Sequence, residues 1–249
     1  MPEHMYERIA DALREQMISG SLQPGDRLPT QDALSESFGV SRIVARRAFD
    51  ILEAEGLIDR VRGGGAFVRR YQPLVRRSAL HYKSNPGAPF AEEALASERI
   101  PSYSYDTHPE RASADIATRL RIPVGADVMR TDYVSRANDE PMMLVHSYEP
   151  LAITKGTDIE RPEEGPYMGA GLIDRFTAVG KRPTTVVERL RARMPRPSET
   201  AQLQLRPGTP VMLIVRTTYH EDTPLETADL LLDAHRFELE YALKVDPSQ

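Results

Sequence analysis

A chain of 249 residues with 40% hydrophobic and 28% charged residues has the composition of an ordinary globular protein, and its length favours two domains over one. It contains no cysteine, which excludes disulfides and thiolate metal sites and suits a reducing compartment. A net charge of −5 excludes a protein that is basic throughout, so any contact with nucleic acid must come from a local patch.

No run approaches the roughly 18 consecutive apolar residues of a membrane helix, and MPEHMYERIADALREQM alternates charged with apolar residues instead of forming a signal-peptide core. The expectation is a cytoplasmic protein with no membrane partner. Residues 4 to 19 place Ile9, Leu13 and Met17, with Ala10 and Ile18 beside them, on the stripe of an amphipathic helix. Gly20, Pro24, Gly25 and Pro29 break it. A second helix is expected from about Thr30 to Phe38, burying Ala33, Leu34 and Phe38, with Gly39 as a tight turn. Ser41 then stands where its side chain can cap a third helix by accepting a backbone N–H, and Gly56 stops that helix after Glu55. Its expected buried face is Val44, Ala48, Ile51 and Leu52; Arg42 and Arg46, four apart, share the opposite face.

Two short strands, 57 to 61 and 66 to 70, flank Gly63, Gly64 and Gly65, a hairpin tip with no side chains to block close approach. From Arg60 to Arg77 the chain carries six arginines and no acidic residue, which reads as a basic patch. Two helices joined by a glycine turn, the second presenting arginines from its first turns, followed by a hairpin, form a winged helix-turn-helix. An exposed arginine helix suits the DNA major groove, where a guanidinium pairs bidentately with guanine O6 and N7. Arg47 lies one residue off that face and is assigned to phosphate, while Arg62 with the tip glycines suits a minor groove or phosphate backbone. The competing reading has these arginines only forming surface ion pairs with Asp50, Glu53 or Glu55.

Residues 6 to 68, through PGDRLP, LSESFGVSR, LEAEGLI and GGGAFV, resemble the winged helix-turn-helix of the GntR superfamily of bacterial transcription regulators. The resemblance implies a homodimer on an inverted-repeat DNA operator, with Arg42 and Arg46 at base edges and Gly63 at the wing tip; Ser41, Arg47, which is an addition to the family pattern, Arg62 and Gly64 complete the expected DNA-binding residues. The chain departs from the family where Asp32 replaces an arginine of the second helix and Ile43 and Val44 replace threonines.

In the second half, LRIPVGADVM from Leu120 and LQLRPGTPVM from Leu203 share Leu, Gly, Val and Met in one register, which extends to Asp139 and Pro141 against Asp222 and Pro224. Each copy reads as a helix end, a turn, a strand, a polar hairpin tip and a return strand, and the pair implies an antiparallel sheet with helices on one side, an α+β domain. A helix around Leu172 to Val179 and a strand in TTVVERLRARMP lie between them. SYEP at 147–150, the tip NDEP, PLETAD and AHRFELEY resemble the UTRA ligand-sensing domain of the HutC branch, whose fold is similar to chorismate lyase. The expected organisation is a DNA-binding domain at 1–70, a linker at 71–85 and an effector-binding and dimerisation domain at 86–246.

Strand alternation places Tyr133 and Ser135 on one face with Val145 and Ser147, and the repeat register adds Arg216, Thr218 and Glu226. These are the candidate effector-binding residues. Sugar-phosphate sensors of the family are expected to carry two arginines at the positions of Tyr133 and Ser135 and a glutamate at that of Val145, so the small-molecule effector is expected not to be a small sugar phosphate. The lyase-like fold raises an enzyme as an alternative. The six histidines show no metal-binding spacing and no serine lies in a nucleophile elbow, so no catalytic residue, metal or cofactor is expected. A repressor whose second domain only dimerises is the remaining alternative.

Overall fold

The computed structural model describes residues 4–70, 72–77, 82, 89–206 and 208–243. The chain divides into two compact units, residues 1–72 with 206–209, and residues 73–205 with 210–249. Among the described residues no helix is long and apolar enough to cross a membrane.

The first unit contains α1 (Met5–Ile18), α2 (Gln31–Phe38), α3 (Arg42–Ala54) and an antiparallel hairpin of β1 (Ile58–Val61) and β2 (Gly65–Val68). Ile9, Ala10 and Leu13 of α1 are buried, but Ile18 is exposed, because nine residues from Ile9 it has turned to the opposite side of the helix. Thr30 caps α2 by accepting the Ala33 N–H at 3.1 Å, and Gly39 ends it in the left-handed conformation at φ 63°. Leu34 is buried and Phe38 half-buried, whereas Ala33 faces outward, one residue off that line. Ser41 occupies the N-cap of α3, but its side chain accepts no backbone N–H; its carbonyl accepts from Val44 and Ala45 instead, which leaves the hydroxyl exposed.

The inward face of α3 is Ala45, Ala48, Phe49 and Leu52, with Val44 and Ile51 only flanking it. Phe49 accounts for the rotation, since burying one aromatic ring removes more apolar area from water than burying either β-branched neighbour. These residues join Ile9, Leu13, Leu28, Leu34, Ile58 and Val68 in one core.

The second unit is built on a six-stranded antiparallel sheet ordered β4-β5-β6-β9-β8-β7, with β4 (Pro101–Arg111), β5 (Asp127–Ala137), β6 (Glu140–Pro150), β7 (Thr185–Arg193), β8 (Val211–His220) and β9 (Thr223–Asp233). Its helices are α4 (Pro89–Ala96), α5 (Ala114–Leu120), α6 (Leu151–Thr154), α7 (Leu172–Ala178) and α8 (Pro197–Leu203). The internal repeat is visible in the backbone. Arg121 after α5 and Gln204 after α8 are left-handed at φ 53° and 51°, and Gly125 and Gly208 follow at 80° and 81°. Asn138 and Asp139 are both left-handed, as a tight two-residue hairpin requires.

Both faces of the sheet are covered, not one as expected. Leu203 of α8 and Leu205 just after it join Leu144, Leu213 and Leu231 on one side, while Phe90 and Ala94 of α4 join Met143, Val145, Ile214 and Leu230 on the other. The unbroken apolar runs 142–145 and 230–232 are the physical reason, since a strand buried on both faces has no polar alternation.

The expected linker at 71–85 is only partly described. Within it, residues 74–77 form β3 (Leu74–Arg77), paired in parallel with β10 (Phe237–Glu240) inside the second unit. Leu74 and Arg76 point inward and Arg77 outward, so this segment alternates as a half-buried strand instead of running as a solvated connector. The rest of that linker, apart from Gln72, Pro73 and Tyr82, lies outside the described residues.

Candidate functional sites

The exposed surface of the first unit carries most of the residues singled out from sequence. Ser41, Arg42 and Arg46 of the α3 N-terminus are exposed, as is Arg62 at the hairpin tip. Gly63 and Gly65 have φ of 74° and 107°, and a Cβ on Gly64 would lie 2.9 Å from the Val61 side chain, so this tip needs glycine for its own geometry. Arg47 stacks its guanidinium over the Tyr6 ring, 4.4 Å from the centroid.

The carboxylates suggested as partners for the α3 arginines are held by others. Arg60 pairs with Asp50 at 2.8 Å and with Glu53 at 3.4 Å, and Arg14 pairs with Glu55 at 2.6 Å. Arg42 instead meets Asp32 of α2, Nε to carboxylate at 2.5 Å, with both side chains more than 60% exposed. The basic run 60–77 is also largely neutralised. Arg69 pairs with Asp59, Arg76 with Glu188 and Arg77 with Glu240. Sequence adjacency hid this, because the compensating carboxylates come from residues 50, 53, 59, 188 and 240.

The second unit holds a cavity of about 310 Å³, within the size range of small-metabolite sites. Tyr133, Ser135, Val145, Ser147, Arg216 and Thr218 all line it. The β5–β6 register sets Tyr133 opposite Val145, and the β8–β9 register sets Thr218 opposite Glu226. Glu226, fully buried, lies behind the wall: its carboxylate accepts from Ser147 at 3.0 Å, Arg216 at 2.7 Å and Thr218 at 3.3 Å. Burial acts most strongly and would depress the Arg216 guanidinium, but the charge and hydrogen bond of Glu226 together with Tyr82 and Glu188 outweigh it and the group is raised above its ordinary value.

Four features of this cavity escaped the sequence reading. Arg175 of α7 makes a buried bidentate pair with Glu149, both bonds 2.9 Å, and donates to the Ile159 carbonyl at 3.0 Å. Burial pushes the Glu149 carboxyl up while the facing guanidinium draws it back. Arg76 and Tyr82 both donate to Glu188. Phe90, Leu172 and Leu230 supply apolar wall. Finally, Tyr103 and Tyr105 of β4 and Tyr133 of β5 form a cluster with ring centroids 6.3 to 6.5 Å apart. Tyr133 and Tyr103 donate to the Glu163 carboxylate at 2.8 and 3.3 Å, and burial, reinforced by that carboxylate, raises both phenols, which stay protonated donors. Alternating aromatics in PSYSY are the signal that could have located β4. Among the described residues no cluster of side chains could hold a metal ion.

Residues 5–68 match the model of bacterial regulatory proteins of the gntR family, and residues 105–238 match that of the UTRA domain. An HTH-type transcriptional regulator of Streptomyces coelicolor, itself uncharacterised, is 32% identical over 98% of this chain and 94% of its own length. The histidine utilization repressor of Pseudomonas putida is 30% identical over 96% of this chain and 92% of its own. A crystal structure described as a GntR-family transcriptional regulator superposes with a TM-score of 0.73 at 37% identity, covering 97% of this chain and 98% of that one. With a winged helix-turn-helix in its first unit and a UTRA domain in its second, the chain belongs to the GntR family of transcription regulators.

Proposed function

We propose that the protein is a ligand-responsive repressor that binds an inverted-repeat operator as a homodimer and is released by a small molecule held in the second-unit cavity. The observation that carries the DNA-binding half is the exposed arginine face of α3, for which Asp50, Glu53 and Glu55 are held by other arginines and only Asp32 meets Arg42. Arg42 and Arg46 are the base-reading residues; Ser41, Arg47, Arg62 and the backbone at Gly63 and Gly64 meet phosphate or the minor groove. Relatives named as repressors, among them that of histidine utilization, favour repression over activation. The domain organisation we infer is DNA binding by residues 1–70 and sensing and dimerisation by the second unit.

Selection from a random duplex pool tests this. A repressor of this design enriches an inverted repeat with half-sites about 34 Å apart, one helical turn. Enrichment of no motif, with binding that disappears steeply as salt rises, refutes operator recognition.

Asp32 tempers the interface. An exposed ion pair is worth about 0 to 1 kcal/mol, less than the roughly 1 to 3 kcal/mol of a good arginine–guanine pair, so Arg42 exchanges Asp32 for a base at a net gain. The Asp32 carboxylate then faces DNA unpaired. Asp32→Arg is expected to tighten binding to all sequences and to steepen its dependence on salt by about one counterion per protomer, measured by fluorescence anisotropy across a salt series.

For the effector, the cavity wall at Tyr133, Ser135 and Val145 offers no unpaired guanidinium to a phosphate, which supports a ligand other than a small sugar phosphate. Tyr133, Ser135, Ser147, Arg216 and Thr218 are the proposed contacts, and Glu226 fixes three of them.

A further inference from the structure

The charges around the cavity are unequal in a specific way. Each arginine that lines it is matched by a buried carboxylate: Arg175 by Glu149, Arg216 by Glu226 and Arg76 by Glu188. Glu163 also lines the cavity and is 8% exposed, yet among the described residues it forms no ion pair. Its carboxylate is met by the neutral hydroxyls of Tyr133 and Tyr103, and its carbonyl by that of Tyr105 at 3.4 Å. Arg175 is near enough to feel the charge of Glu163 but spends its hydrogen bonds on Glu149 and the Ile159 carbonyl, so Glu163 has no cation bonded to it, and hydroxyl donors offset only part of the cost of burying a carboxylate.

The aromatic cluster is the second half of the observation. Tyr103, Tyr105 and Tyr133 converge from two neighbouring strands on one face of the sheet, Tyr105 directly opposite Tyr133 in the register. Their electron-rich faces attract a cation electrostatically, and clustered aromatic rings recognise ammonium groups in this manner. Phe90, Val145, Leu172 and Leu230 make part of the remaining wall apolar, beside the hydroxyls of Ser135, Ser147 and Thr218.

We propose that the effector carries an ammonium group, which lodges between Glu163 and the tyrosine cluster, joined to an apolar body that fills the rest of the cavity. This rests on the reading of the cavity as the sensing site. The cation neutralises Glu163 without disturbing the three matched pairs, whereas an anion would have to displace a buried carboxylate from one of its arginines.

Titration calorimetry on the full-length protein tests the inference with three probes of one skeleton: 2-phenylethylamine, 2-phenylethanol and 3-phenylpropionate, with glucose 6-phosphate as a fourth. The amine is expected to bind at least about tenfold tighter than the alcohol, and the two anions not at all. Glu163→Gln should bring amine and alcohol within about threefold of each other. Tyr103→Phe should keep the preference and Tyr103→Leu should reduce it, because the ring and not the hydroxyl faces the cation. Melting temperatures verify that each variant is folded. Tighter binding of either anion overturns the ammonium assignment while leaving the sensing reading intact. Equal binding of amine and alcohol by the wild type overturns it as well. If no probe binds, and a wider panel of metabolites also fails to raise the melting temperature, the inference and the sensing reading fall together.

Discussion

Arg42→Ala combined with Arg46→Ala is expected to abolish selection of the inverted repeat while leaving weak, salt-sensitive DNA binding. Each bidentate arginine–guanine pair discriminates by about 1 to 3 kcal/mol, and a two-fold symmetric complex contains every contact twice. Removing four such contacts per dimer costs about as much as the whole margin between specific and non-specific binding, roughly 4 to 10 kcal/mol. The residual affinity comes from phosphate contacts, which carry no sequence information. Arg47→Ala provides the contrast. With its guanidinium over Tyr6 it is expected to weaken operator and random duplex alike, by less than tenfold, and to leave the selected motif unchanged. Both outcomes are read from sequencing of the selected pool beside anisotropy titrations on operator and random duplex. Retention of the same motif by the double variant would remove α3 from base recognition.

The second large effect concerns stability. Arg175 and Glu149 are 4% and 2% exposed and make two parallel bonds in the sensing unit. Taking one partner away leaves the other charge buried, a loss of about 3 to 5 kcal/mol. Arg175→Met is therefore expected to lower the melting temperature by about 10 °C, and Glu149→Gln by a similar or smaller amount because the amide can still accept one bond. The double variant Glu149→Leu with Arg175→Met should recover most of the loss, since a buried pair replaced by apolar groups of similar volume is often neutral. Scanning calorimetry of the three variants reads the difference. If the double variant melts no higher than the singles, the pair acts through the Ile159 carbonyl and the loop it anchors, and not through its charge.

The parts of this architecture set by local chemistry could be read directly from the chain. The Gly39 turn, the glycine hairpin tip and the two related hairpins each depend on a few adjacent residues, and each appears in the fold, whereas the side-chain cap expected from Ser41 does not form. Side-chain placements decided by a competition between neighbours were less legible. Val44 and Phe49 both qualify for the inner face of α3 by periodicity, and only packing volume separates them. The cavity shows the same division. Strand alternation brought Tyr133, Ser135, Ser147, Arg216 and Thr218 to one wall, because period two is a local rule. It could not supply Arg175, Glu163 or Tyr103, which come from a helix, a loop and an edge strand whose positions are set by long-range packing. The arginines of residues 60–77 make the same point for charge: proximity in sequence suggested a patch, and carboxylates from as far as residue 240 neutralise much of it.

The parallel pairing of β3 with β10 places residue 74 against residue 237. During synthesis the first unit, whose helices and hairpin contact near neighbours in the chain, can fold as soon as it is released. The second unit has no such option, because the partner of β3 is β10, which emerges more than 160 residues later. Through that interval the chain is a folded winged helix-turn-helix attached to an unclosed second unit, with the backbone of β3 lacking its β10 partner. Chain truncation or slow elongation near residue 237 would prolong that state, in which an open strand edge is available to other chains.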